Sequence, residues 1–380
     1  MIDVAVVGGG PAGCATALAL HQLGVENVEV FEATDYSVDR VGESIPPDTR
    51  LRLRDLGLWD SFLDQGHERC FGSCSSWGAD ELGYNDFLVN PHGDGWHLDR
   101  LRFDAWMANV VERRGIPLHR CTSVHRIQAA TSAAPTRFEA RDDRGGVTSL
   151  QCRFIVDATG SRARVARQIG ARPHFEDHLV CVSGFLTAGP GTTLNRLTML
   201  EAVEYGWWYA ARLPDGRITA SVASDASIIR AERLTDRTIW SRNLNRTNHV
   251  GPALVGSRFE PASLRTWAAP SMLLDPPAGD GWLAVGDAAS SYDPISSQGI
   301  YKALDNAITA GPAIAAWLGG DPQGVIAHRI AVGERFIDYL EMRGYFYGVE
   351  RRWEDAAFWR RRRADPVEVN QRRSGLATNS

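Results

Sequence analysis

Val4-Ala5-Val6-Val7-Gly8-Gly9-Gly10-Pro11-Ala12-Gly13 is the stretch on which the reading of this chain turns. Four apolar residues make a short strand, and three spaced glycines follow. Residues 14–23 are rich in Ala and Leu and read as a helix that stops at Gly24. Val28-Glu29-Val30-Phe31-Glu32 reads as a second strand. The result is a βαβ unit. In Gly8-x-Gly10-x-x-Gly13 the first glycine permits the turn. The second lets a pyrophosphate approach, and the third lets helix pack on strand. Pro11 and Ala12 open the helix, whose N-terminus faces the phosphates with its dipole. Glu32, with Ala33 beside it, ends the second strand where an acid binds a ribose hydroxyl. Such a unit takes NAD or FAD; the bland alternative is a glycine-rich turn without a ligand.

The rest of the 380 residues sets bounds. That length suits one large domain or two interlocked ones. Hydrophobic residues make up 44% and charged residues 23%, which excludes wholesale disorder and coiled coils. A formal charge of −5 gives no global basic field to recruit nucleic acid. Six scattered cysteines form neither a disulfide framework nor a zinc pattern, so no metal is expected. Residues 4–20 are uncharged, but their glycines and the preceding Asp3 argue against a signal peptide, and no stretch reads as a membrane span. A cytoplasmic location is expected. Lys302 is the only lysine among 41 basic residues, so any lysine-dependent chemistry must use it.

Downstream, residues 34–50 read as a loop and residues 101–114 as a helix. Alternation near 118–128, 136–141 and 147–156 predicts a β-meander. Further strands fall within 179–223, among them Trp207-Trp208-Tyr209 before the turn Pro214-Asp215-Gly216. A second strand-to-helix junction lies at Trp282-Leu283-Ala284-Val285-Gly286-Asp287, with a helix from Gly299. Residues 325–363 read as helical and end in four arginines.

Several motifs together resemble the FAD-dependent monooxygenase superfamily, whose fold is that of p-hydroxybenzoate hydroxylase, and within it the tryptophan-halogenase-like branch. They are Asp157-Ala158-Thr159-Gly160, Gly286-Asp287-Ala288-Ala289 with Asp293-Pro294-x-Ser296-Ser297-Gln298-Gly299, Gly42-Glu43-Ser44-x-Pro46, and Arg100-x-x-Phe103-Asp104. The resemblance spans about residues 1–363. It implies FAD, with Asp287 on a ribityl hydroxyl and the loop from Pro294 to Gly299 against the isoalloxazine. Ile300 would begin a helix aimed at the flavin. Ala158, Gly160, Gly42, Ser44 and Arg100 would complete the cofactor site, and the backbone at Val124 would meet the adenine.

Two features depart from halogenases. The family's Trp-x-Trp-x-Ile-Pro segment is replaced by Gly206-Trp207-Trp208-Tyr209-Ala210-Ala211-Arg212-Leu213-Pro214. The family's lysine is missing from residues 71–77, where Gly72 takes its place. The resemblance then implies hydroxylation through a flavin C4a-hydroperoxide, with molecular oxygen as co-substrate. Glu43 and Asp293 are candidates to move protons near the flavin, and His67 and His97 to activate a substrate hydroxyl or amine. Trp77, His97, Trp208 and Tyr209 are candidate substrate contacts; core packing is the alternative for each aromatic. The aromatic C-terminal run resembles flavoproteins that hydroxylate a tryptophan inside a partner polypeptide during quinone-cofactor maturation. Its arginines would meet either solvent or an acidic partner.

The expected fold class is α/β: a Rossmann-like parallel FAD-binding sheet with a β-meander, an interleaved antiparallel substrate domain, and C-terminal helices. Residues 1–75, 98–178 and 275–320 are assigned to the FAD domain. Residues 76–97 and 179–274 are assigned to the substrate domain, 321–373 to a helical segment and 374–380 to a disordered tail. The expected activity is monooxygenation of an electron-rich indole, phenol or pyrrole, free or carried on a peptide or protein. Only one dinucleotide fingerprint is visible, so NAD(P)H binding transiently or a separate flavin reductase would supply electrons. A halogenase, a geranylgeranyl-reductase-like enzyme and a non-catalytic flavin-binding accessory protein are the alternatives.

Overall fold

The computed structural model describes residues 1–130, 134–261 and 263–363. Strand β1 (Ile2–Val7), helix α1 (Pro11–Gln22) and strand β2 (Val28–Phe31) open the chain. β1 pairs in parallel with β2 on one side and with strand Val147–Asp157 on the other. That long strand pairs in parallel with Trp282–Ala284. The chain order therefore reverses across β1, which puts a crevice at the carboxyl ends of the strands, beyond Val7, Asp157 and Ala284. β1 is apolar throughout its centre because both of its faces are covered. α1 packs against helix Gly299–Leu318, and small residues bring the two close. A Cβ on Gly311 would already sit 3.3 Å from the Cβ of Ala19.

The strands Ser123–Gln128 and Thr136–Arg141 form the expected antiparallel meander on the first half of Val147–Asp157. A second sheet stacks Leu179–Thr187, Arg217–Asp225, Gly206–Arg212 and Thr198–Val203 antiparallel. Gly72–Ser76, from the N-terminal third of the chain, joins its edge in parallel. The strand period of two decides which side chains face the crevice. Trp207 and Tyr209 lie on one face, with Tyr347, Trp359 and Ile295. Trp208 and Ala210 lie on the other, in a separate core with Trp240 and Val222.

Residues 34–50 are more ordered than a loop. Ser44–Ile45 forms a short strand against His97 and Trp96, and a helix starts at Thr49. The C-terminal helix Gln323–Val349 stops short of residue 363. Glu350 turns extended, and its carboxylate accepts the Gly78 N–H at 2.8 Å and binds Arg352. Of the four final arginines, Arg360 and Arg361 are exposed and Arg363 is half-buried. Arg361 and Arg362 both bind Asp225, and Arg362 is buried. Residues 374–380, expected to be disordered, lie outside the described residues. Among the described residues no helix is long and apolar enough to cross a membrane.

Candidate functional site

Three motifs far apart in sequence meet at the crevice. A Cβ on Gly8, whose φ is +105°, would lie 2.3 Å from the Ala158 carbonyl oxygen. A Cβ on Gly13 would lie 1.8 Å from the Gly8 oxygen. A Cβ on Gly286 would lie 2.7 Å from the Cβ of Ala12. These glycines let the three turns touch. Gly10 is different: the nearest atom to its Cβ position is an Arg40 nitrogen at 3.9 Å. The space over Gly10 fronts the N-terminus of α1, which has no side-chain cap and no acid in its first turn. Backbone N–H groups, a positive dipole end and open space make a cradle for a pyrophosphate.

Glu32 is buried. Its Oε2 accepts the Gly9 N–H at 2.7 Å, and its Oε1 accepts both the N–H and the hydroxyl of Thr34. A carboxylate offers about four acceptor sites, so one remains for a ribose hydroxyl. Ala33 beside it is exposed, and Val124 is half-buried on the meander. Two neighbours escaped the sequence reading. The Tyr36 hydroxyl donates to the Gly9 carbonyl at 2.9 Å. Arg40 stands between Glu32 at 3.9 Å and Asp104 at 3.7 Å, beside Gly10. Its only sequence signal is a basic residue just before Gly42-Glu43.

Arg100 is mostly engaged by the protein. Its Nε and Nη2 grip both Asp104 oxygens at 3.1 and 3.0 Å, and its Nη1 donates to the Val41 carbonyl at 2.6 Å. It staples the loop around Gly42, whose φ is +90°. Asp157 is a buried fastener for the Thr159 and Ala166 N–H groups, leaving Ala158 and Gly160 at the crevice edge. Asp287, in the turn after Gly286, binds Lys302 through Oδ1 at 2.9 Å, while its side chain stays 47% exposed. That exposure leaves carboxylate acceptor sites for a polyol hydroxyl. Pro294 and Gly299 are exposed on the loop and helix start, and Ile300 is buried behind them. The helix from Gly299 has no side-chain cap either. The residues present fit FAD: a phosphate cradle, a ribose acid, a ribityl acid and an uncapped helix end.

A polar chain runs behind the Gly42-Glu43-Ser44 loop. The Tyr209 and Ser44 hydroxyls are 2.8 Å apart. Ser44 lies 3.2 Å from the Thr198 hydroxyl, which lies 2.9 Å from His97 Nε2. Glu43 is buried against Tyr209. Burial raises the Glu43 carboxyl above its usual range, and burial plus Glu43 hold the Tyr209 phenol well above its own. Burial pushes His97 down to about 4, so its ring is neutral near pH 7. His97 Nδ1 has no hydrogen-bond partner among the described residues.

The other candidates sit elsewhere. His67 packs on Phe62 and Phe103 and accepts the Asp99 N–H at 3.3 Å, bracing the cap of helix Arg100–Arg113. It is a core histidine, away from the crevice. Trp208 is fully buried against Trp240, so the strand's alternation separates it from Tyr209. Trp77 donates to the Phe346 carbonyl at 2.7 Å and meets Tyr347 and Trp359 edge-on. Asp293 is fully buried, with both carboxylate oxygens engaged by Ile295 N–H and the Tyr347 hydroxyl. Lys302 is buried rather than at the surface.

Comparisons with known proteins agree with this geometry. A family model described as an FAD binding domain matches residues 1–326. A putative FAD-dependent oxidoreductase, LodB, of Marinomonas mediterranea is 29% identical over 367 residues, covering 95% of this chain and 97% of that protein. The myxobacterial chondrochloren halogenase CndH superposes with a TM-score of 0.88 at 22% identity, covering 99% of this chain and 89% of that one. The peptidyl tryptophan dihydroxylase QhpG superposes with a TM-score of 0.75 at 24% identity, covering 96% of this chain and 79% of that one. At those identities the two structures speak for the fold alone. With its cradle built around Gly10 and its family match running through both flavin motifs, the chain belongs to the FAD binding domain family and is a flavin-dependent oxidoreductase.

Proposed function

We propose that this chain is a monooxygenase that hydroxylates an electron-rich aromatic ring carried on a peptide or protein. The observation that carries the choice of hydroxylation over halogenation concerns lysine. The single lysine, Lys302, is buried and bound to Asp287 and to the Ser290 carbonyl. At Gly72, where the resemblance puts the halogenase lysine, φ is +152° and a Cβ would lie 2.2 Å from the Asn85 carbonyl oxygen. No side chain fits there, and the one ammonium of the chain is buried and held by Asp287, not placed to handle a hypohalous acid. The likeness to a peptidyl tryptophan dihydroxylase supports a tethered indole as the substrate class.

Bound and reduced, FAD activates molecular oxygen for transfer of one oxygen atom to the ring. The residues of the chain supply position and proton movement. Tyr209 and Trp267, the half-buried aromatics of the inner sheet face, offer a surface on which a planar ring packs, with the buried Trp207 behind them. Tyr209 is the half-buried end of the hydroxyl chain to His97, and its neutral phenol takes a proton from a ring N–H or O–H as it hands its own to the Glu43 carboxylate beside it. Withdrawing that proton pushes electron density into the ring carbon that is attacked. Glu43, with its raised affinity for protons, is the neighbour that can return one.

The test is product analysis. FAD-loaded protein is given a chemical or enzymatic source of reduced flavin, isotopically labelled oxygen and a tryptophan-containing peptide, with and without halide. Oxygen incorporation into the indole, unaffected by halide, is the expected result. Halogenated product would overturn the reading in favour of a halogenase. Oxygen consumption with no change in any aromatic peptide or free indole or phenol would leave a reductase or an accessory role.

A further inference from the structure

Helix Gln323–Val349 carries Tyr339, Arg343 and Tyr347 at successive four-residue spacings, which puts them on one face. All three converge on Asp293. The Asp293 N–H donates to the Tyr339 hydroxyl at 2.7 Å, and that hydroxyl also pairs with Ser271 at 2.6 Å. The Tyr347 hydroxyl donates to Asp293 Oδ2 at 2.8 Å and accepts the Trp207 indole N–H at 3.0 Å. Arg343 Nε lies 3.5 Å from the same Oδ2, and the guanidinium also binds Asp177. From the loop itself, the Ile295 N–H donates to Asp293 Oδ1 at 3.0 Å.

Asp293 is therefore shut off from any substrate, and its carboxylate does no proton transfer at the ring. It is the root of the segment Pro294–Ser296, which ends at Ser297 with φ +50° and leads into the uncapped helix from Gly299. Two hydroxyls from a remote helix bond this one residue, and a guanidinium from the same helix stands 3.5 Å from its carboxylate. A buried carboxylate so enclosed fixes the loop that it begins.

We infer that Tyr339, Arg343 and Tyr347 are positioning residues: through Asp293 they hold the 294–298 loop against the flavin. Trp207 ties the same anchor to the sheet face that bears Tyr209, so cofactor loop and substrate wall share one reference point. The inference rests on the reading that this loop faces the flavin ring.

The test uses Tyr347→Phe, which removes one hydroxyl and keeps the ring. Tyr345→Phe is the control, since Tyr345 is 67% exposed on the same helix. Two quantities are measured: amide hydrogen exchange of the 293–298 segment in apo protein, and the midpoint potential and visible spectrum of the FAD-loaded protein. Tyr347→Phe is expected to speed loop exchange about tenfold and to shift both flavin signals, while Tyr345→Phe moves neither. Unchanged loop exchange would overturn the anchoring. Faster exchange with unmoved flavin signals would show that the loop does not face the flavin, and would overturn the positioning role by that separate route. If Tyr347→Phe fails to fold, Tyr339→Phe, which frees the Asp293 N–H, is read in the same way.

Discussion

Lys302 Nζ lies 2.9 Å from Asp287 Oδ1, yet the lysine side chain is 9% exposed and the aspartate 47%. This unequal burial makes the two halves of the pair behave differently when one is removed. Losing Asp287 strands an ammonium inside the protein, with only the Ser290 carbonyl and the Tyr292 ring to face it. Losing Lys302 leaves a carboxylate that water can still reach. Asp287→Ala is therefore expected to destabilise the fold by about 3 kcal/mol. Lys302→Met should leave the apo protein close to wild type but weaken FAD binding about tenfold, because Asp287 is no longer aimed. Thermal unfolding of apo protein and a flavin fluorescence titration measure the two effects separately.

The crevice glycines divide in the same manner. Gly13 and Gly8 are needed by the fold, since a methyl group at either strikes backbone at 1.8 or 2.3 Å. Gly10 has φ −73°, ordinary for any residue, and open space beyond it. Gly13→Ala is expected to abolish soluble protein or lower the melting temperature sharply. Gly10→Ala should fold normally and lose FAD affinity by more than about tenfold, because the methyl occupies the pyrophosphate's place. Normal FAD binding by Gly10→Ala would contradict the cradle.

The contrast between these residues shows what was legible in the sequence. Gly8, Gly10, Gly13 and Glu32 belong to one βαβ unit whose local geometry is written in spacing, whereas Gly286 and Asp287 were legible through the resemblance of their motif. Arg40, the Tyr339–Arg343–Tyr347 ladder and the burial of Lys302 depend on contacts between elements distant in the chain, which no periodicity records. Trp208 is an intermediate case. Strand alternation by itself separates it from Tyr209, but which face meets the crevice is decided by Trp240 and Tyr347 from elsewhere.

Tyr209 is the test of the proton path. If its hydroxyl receives the substrate's proton, Tyr209→Phe should cut the rate of hydroxylation about a hundredfold. FAD affinity and the substrate KM should stay nearly constant. Ser44→Ala breaks the next link, 2.8 Å away, and should cost less because the phenol itself remains. Equal losses of FAD affinity and rate would instead assign Tyr209 to cofactor binding. Single-turnover rates with preloaded reduced flavin separate these outcomes.

His328 supplies a pH dependence with a definite sign. Its Nε2–H donates to the Ala284 carbonyl at 3.1 Å, at the end of the strand that leads into Gly286-Asp287. Burial, reinforced by Arg335, lowers it from 6.5 to about 4. Between those values the unfolded chain binds more protons than the folded one. Stability therefore rises with pH through this window, is fully present above about 6.5, and is lost as pH falls toward 4. The gap corresponds to about 3 kcal/mol for this residue. Glu43, Asp157 and Asp293, all raised by burial, pull in the opposite sense, so the net acid slope belongs to several groups. A variant isolates one of them. His328→Gln keeps an N–H donor for Ala284 but cannot titrate, so its melting temperature should fall less than wild type's between about pH 7.5 and about pH 5. An identical fall in both proteins would mean that the histidine is already protonated, or exposed, in the folded state.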